Sequence, residues 1–191
     1  MIIAEPFWVN LLILVPPILF FWFRKTKLNL SKKQLLLITL FGIAFGIVEA
    51  SIVIYIRASL GFLPGFKGTI FDVWRQISPL YDQTIAVLAL PQSYLTFETI
   101  RETATMVMFV ALSLLVAKGL KERVAIFMLA FAVWDITYYA HLWFMTRWPT
   151  SLSSPDVLFL IPQFWISQVW YPLLVSSLTA IVVIISSKNG K

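Results

Sequence analysis

Cysteine is absent from this chain. That excludes disulfides, thiolate-ligated zinc, Fe–S clusters, covalent haem and thiol chemistry. Histidine occurs once, at His141, which argues against haem ligation or a multi-histidine metal site. Charge is scarce as well. Charged residues make up 13% of the chain, about half of the roughly 25% found in average soluble domains. No glycine-rich phosphate loop, serine nucleophile elbow or HExxH pattern occurs, so three familiar catalytic devices are missing. No internal repeat is visible, which removes the support an inverted-repeat transporter would need.

Apolar residues fill the space that charge leaves. They account for 60% of the sequence, and the mean hydropathy is +0.87. They fall in long blocks separated by short polar joints. Runs such as Leu35-Leu36-Leu37-Ile38 and Ile181-Val182-Val183-Ile184-Ile185 do not alternate, as β-barrel strands would. Only helices or closed barrels satisfy the backbone in lipid. The sequence therefore predicts an all-α polytopic membrane protein, a single transmembrane domain over residues 1–191. Five spans are expected, at about Pro6 to Phe23, Gln34 to Ile56, Phe97 to Ala117, Val124 to Met145, and Ile166 to Ser186. Pro16-Pro17 predicts a kink in the first. The apolar piece Val157 to Pro162 is too short to cross and is expected to be interfacial or re-entrant.

The net charge is +6. Ten of the fifteen basic residues fall on one side of a five-span arrangement: Arg24, Lys25, Lys27, Lys32, Lys33, Lys118, Lys121, Arg123, Lys188 and Lys191. Basic residues mark the cytoplasmic face, so the N-terminus is expected outside and the C-terminus inside. This placement explains the positive charge without nucleic acid as a partner; the lipid bilayer is the partner expected. The first span lacks a basic stretch before it and reads as an uncleaved anchor. The segment 57–95 becomes an extracytoplasmic loop. Gly61, Pro64, Gly65, Gly68, Pro79 and Pro91 punctuate it, and Phe62, Phe66, Phe71, Trp74 and Tyr81 make it interfacial or re-entrant in character. Trp8, Trp22, Trp143, Trp148, Trp165 and Trp170 near span ends read as aromatic belts.

The acidic residues then stand out. A carboxylate near a bilayer midplane is costly and rarely persists without a partner or a task. Asp135 lies near the middle of span four. Glu49 lies in the outer half of span two, Glu98 and Glu102 in the first turns of span three, and Asp156 just before the last apolar stretch. Glu98 and Glu102 are four residues apart and share a helix face, with Arg101 on its flank. Tyr138 and Tyr139 follow Asp135 by three and four, so their phenols are expected to donate to it. His141, six residues on, points elsewhere. Gly42, Gly46 and Ala50 form a small-xxx-small face that buries Glu49 between helices.

Three uses of this outward-facing cluster are open. It forms an interhelical network that fixes packing within a larger membrane complex, with other membrane subunits as partners. It holds a hard divalent cation on Glu49, Glu98, Glu102, Asp135 and His141. Or it handles a lipid or small polar molecule, with carboxylates as acid and base and Arg101 or Arg57 holding an anionic group.

Several blocks also carry a resemblance. Val133-Trp134-Asp135-Ile136-Thr137-Tyr138-Tyr139 gives WDIxYY. Trp148-Pro149-Thr150-Ser151-Leu152 gives WPxSL, and Asp156-Val157-Leu158-Phe159-Leu160-Ile161-Pro162 gives DxLFLIP. With Glu98-x-x-Arg101-Glu102-x-Ala104-Thr105, an ExxREAAT-like block, the chain resembles a group of small bacterial polytopic membrane proteins. The resemblance covers most of the chain after span one. It implies a bacterial inner-membrane protein whose polar positions Glu49, Glu98, Arg101, Glu102, Asp135, Tyr138, Tyr139 and Asp156 belong together. It assigns no residue a role.

Overall fold

The computed structural model describes residues 3–25, 28–59 and 91–188, with side chains through 56 and 187 in the last two stretches. Among these residues, five helices are long and apolar enough to cross a membrane: Phe7–Arg24, Lys32–Ile56, Gln92–Val116, Leu120–Thr146 and Trp170–Ser187. Most of the proposed loop 57–95, including its glycines and its five aromatic residues, lies outside the described residues. So does the Arg57 side chain.

The first span changes helix type along its length. Phe7–Leu14 is a 3-10 helix and α1 runs over Val15–Arg24. A 3-10 run of this length is unusual. Pro16 and Pro17 account for it, because neither has an N–H to complete α-type bonds to residues 12 and 13. The Val15 N–H takes the Leu12 carbonyl instead. The expected kink is thus a change of helix type, with the prolines in the first turn of α1, where a missing N–H costs least. Asn10 accepts from the Ile3 and Ala4 N–H groups and donates to the Ala4 and Phe7 carbonyls. The Tyr171 hydroxyl donates to the Val9 carbonyl at 2.8 Å and accepts from the Ile13 N–H at 3.2 Å. In lipid, such bonds replace what water would supply.

The other spans are α2 (Lys32–Ser59), α3 (Gln92–Val116), α4 (Leu120–Thr146) and α5 (Trp170–Lys188). Helix α4 is the centre, packed against α2, α3 and α5, while α1 packs on α5. The α2–α4 approach is close because Gly42 and Gly46 have no side chains. A Cβ on Gly46 would stand 2.7 Å from the Trp134 carbonyl oxygen and 3.0 Å from the Tyr138 nitrogen. Ala50, next on the same face, is fully buried. Phe109 of α3 fills the middle of the bundle. It is fully buried, with edge-on contacts to Phe41, Phe45, Phe127, Phe131 and Trp134 at centroid distances of 5.5–6.3 Å.

The fold is not purely helical. A three-stranded antiparallel sheet is formed by β1 (Ala4–Glu5), β3 (Trp165–Gln168) and β2 (Pro155–Phe159), in that spatial order. Ala4 faces Ser167, and Asp156 faces Ser167 from the other side. The piece read as interfacial or re-entrant therefore begins as an edge strand, paired with β3. Span five starts later than expected, because Ile166 to Gln168 belong to β3. Helix α4 ends at Arg147, whose φ of 57° is left-handed and whose N–H closes on the Trp143 carbonyl at 2.7 Å.

The two ends of the bundle differ in chemistry. At one end, the Gln34 amide meets the Val116 carbonyl, Glu122 accepts from the Asn29 N–H, and Lys121 lies 5.9 Å from the Trp22 ring. The sheet lies toward the other end, with Glu49, Glu98, Glu102, Asp135 and Asp156 gathered beside β2.

Candidate functional site

Helix α4 presents Trp134, Asp135, Tyr138 and Tyr139 to a cavity of about 60 Å³. Helix α2 adds Glu49, α3 adds Glu98, Arg101, Glu102 and Thr105, and β2 with the residue after it closes the wall from Asp156 to Leu160. All eight polar-cluster residues named from sequence line this one space. Water needs roughly 10–15 Å³ by this measure, so the cavity holds a few waters or one small polar group.

Arg101 is the hub of the α3 side. Its Nη1 pairs with Glu49, and its Nη2 lies 2.6 Å from Glu98 Oε2. Both carboxylates are buried, at 4% and 5% exposure. Glu102 Oε2 accepts the Leu160 N–H at 2.9 Å, which joins α3 to the segment after β2. Asp156 is 1% exposed. It accepts the Tyr139 hydroxyl at 2.6 Å and its neighbour Val157 N–H at 2.8 Å.

The Tyr139 phenol thus serves Asp156 and not Asp135, contrary to the spacing argument. Asp135 accepts instead from the Ser176 hydroxyl at 2.8 Å. Ser176 sits on α5, forty-one residues away, where no local spacing could have found it. Removing the Tyr139 hydroxyl should cost about 1–3 kcal/mol, since Asp156 would lose a charge-assisted donor in a buried place. Thermal unfolding of Tyr139→Phe in detergent checks this; an unchanged midpoint would show that the bond carries no stability.

The divalent-cation set does not assemble. Among the described residues no group of three or more His, Asp or Glu is arranged to hold a metal ion. Glu49 and Glu98 are turned to Arg101, Glu102 to Leu160 and Asp135 to Ser176. His141 stacks against Phe144 at 6.3 Å and does not line the cavity.

Sequence reasoning also passed over Trp134 as a polar group. It is 7% exposed, and its indole N–H has no hydrogen-bond acceptor among the described residues. Buried polar groups are nearly always paired, so an orphan on a cavity wall calls for an acceptor there. The Arg101 Nε is a second buried donor without an acceptor among the described residues. Among the described residues, five carboxylates therefore share a small space with one guanidinium and an unanswered indole. No protein family, curated protein or solved structure matches the chain.

Proposed function

We propose that this protein binds a small cation or other hydrogen-bond-donating polar ligand in the cavity beside Asp135, Glu102 and Asp156. One observation carries the reading: among the described residues five carboxylates line the cavity, and Arg101 is the one cationic side chain among them. Arg101 is already committed to Glu49 and Glu98. Glu102 and Asp135 lie apart from that ion pair in the same small cavity, and a positive guest there relieves their repulsion and desolvation.

The membrane setting belongs to the same proposal. Arg24, Lys25, Lys32, Lys33, Lys118, Lys121 and Arg123 lie at the end away from the cavity, which supports a cavity that opens outward and basic joints that face the cytoplasm. A bacterial inner membrane fits this arrangement. The rival use, a network that only fixes packing within a larger complex, predicts no ligand.

Calorimetric titration of the purified protein with ethanolammonium, with sodium and with glycerol as probes separates the two. Ethanolammonium is expected to bind, and binding should weaken tenfold or more in Asp135→Asn and in Glu102→Gln while their helical content stays unchanged. A saturating probe at a hundred times its Kd should also raise stability by about 2.7 kcal/mol. Absence of binding by all three probes would overturn the reading and favour the packing network.

A further inference from the structure

The acidic cavity has an apolar neighbour. A second cavity, of about 340 Å³, lies between the first span, α3, α4, α5 and the segment after β2, with Leu12, Met128, Phe131, Phe159, Trp165 and Val175 among its walls. Its size falls within the range of small-molecule sites, roughly 300–1,000 Å³, whereas the acidic cavity alone falls well below it. Phe159 lines both. A small intervening cavity shares Asp135, Leu158 and Phe159 with the acidic space and Phe131, Trp165 and Ser176 with the apolar one. The Asp135–Ser176 hydrogen bond stands at this boundary.

From this adjacency we infer that the ligand is a single-chain amphiphile whose head joins a protonated amine to a hydroxyl or carbonyl oxygen. The inference rests on the cation-binding reading above and names its ligand class. The ammonium answers the carboxylates Asp135 and Glu102. The neighbouring oxygen answers the Trp134 indole N–H, a buried donor that an amine alone cannot satisfy. The chain passes Phe159 into the apolar cavity, where the walls offer almost no polar surface and an alkyl chain loses nothing by leaving water or lipid. An anionic head is disfavoured, because among the described residues it would meet five carboxylates and one arginine already paired with two of them.

The test compares three probes on the whole protein in a neutral detergent, at matched mole fractions: N-dodecylethanolamine, dodecanol and ethanolamine. A charge-assisted hydrogen bond is worth about one to two powers of ten in affinity. N-Dodecylethanolamine should therefore stabilise the wild type at a mole fraction at least tenfold below dodecanol. It should also outcompete ethanolamine. Asp135→Asn should bring the amine and the alcohol within threefold of each other. A bromine on the middle of the dodecyl chain should quench tryptophan fluorescence, and Trp165→Phe should remove part of that quenching.

Equal binding of dodecanol and the amine would reduce the apolar cavity to a berth for any lipid chain and overturn the inference. Ethanolamine binding as tightly as its dodecyl form would overturn it too, while leaving the cation-binding reading intact. Failure of both amines would remove both. The comparison among probes is made on the wild type, so it stands even if a variant does not fold.

Discussion

Arg101→Met is expected to cost about 3–5 kcal/mol, more than any other single change in the polar cluster. The reason is asymmetric. Arg101 keeps a fifth of its side-chain surface exposed, but Glu49 and Glu98 keep only 6% each. Methionine preserves most of the volume and removes the charge. Glu49 and Glu98, both buried, then lose the guanidinium that links them across α2 and α3. For a chain of this size the loss corresponds to a drop of roughly 6–20 °C in the unfolding midpoint. The remedy identifies the cause. Glu49→Gln and Glu98→Gln added to Arg101→Met should restore most of the stability, because they remove the stranded charges. If Arg101→Met melts like the wild type, the arginine does not hold these spans together.

The second large effect is expected at Gly46. Adding a single methyl in Gly46→Ala places a Cβ 2.7 Å from the Trp134 carbonyl oxygen, 2.9 Å from Thr137 Cβ and 3.0 Å from the Tyr138 nitrogen. Two of these three atoms are backbone and cannot rotate away. Helix α2 must withdraw from α4, at about 1–3 kcal/mol for overpacking of this kind. The same withdrawal moves Glu49 off Arg101, so ligand binding should fall along with stability. Two other glycines grade the effect. Gly42→Ala would press mainly on the Val133 side chain at 2.9 Å and should be milder. Gly119→Ala meets only the far end of Glu122, which can swing clear, and should be nearly silent. Unfolding midpoints of the three variants should rank in that order. A silent Gly46→Ala would mean that the α2–α4 approach tolerates a methyl.

These two sites also mark how far the sequence could be read. Gly46, Gly42 and Ala50 announce a close contact through their spacing alone, since small residues every fourth position leave a groove on one face. The five spans are legible for a similar reason: long apolar blocks have few alternatives. The polar residues were legible as a set because charge within such blocks is conspicuous. Their pairing was not. Arg101 with Glu98 is local, three residues apart, but Tyr139 with Asp156 and Asp135 with Ser176 depend on how α4 meets β2 and α5. Ser176 gave no signal, being one of two adjacent serines in an apolar span. The sheet escaped for another reason. Its strands have two, five and four residues, and β1 finds its partner more than 160 positions away. The hydrophobic period of so short a run says little about strand or coil.

That long-range pairing bears on how the protein is made. Ala4 and Glu5 leave the ribosome more than 160 residues before the strand they pair with. Asp135 likewise enters the bilayer before Ser176 has been synthesised. Early spans must therefore wait, in the insertion machinery or loosely in lipid, with carboxylates still unanswered. Closure of the sheet is the step that completes the wall of the cavity. A nascent chain stopped after α4 should accordingly remain extractable and protease-sensitive, and acquire resistance only once α5 has emerged.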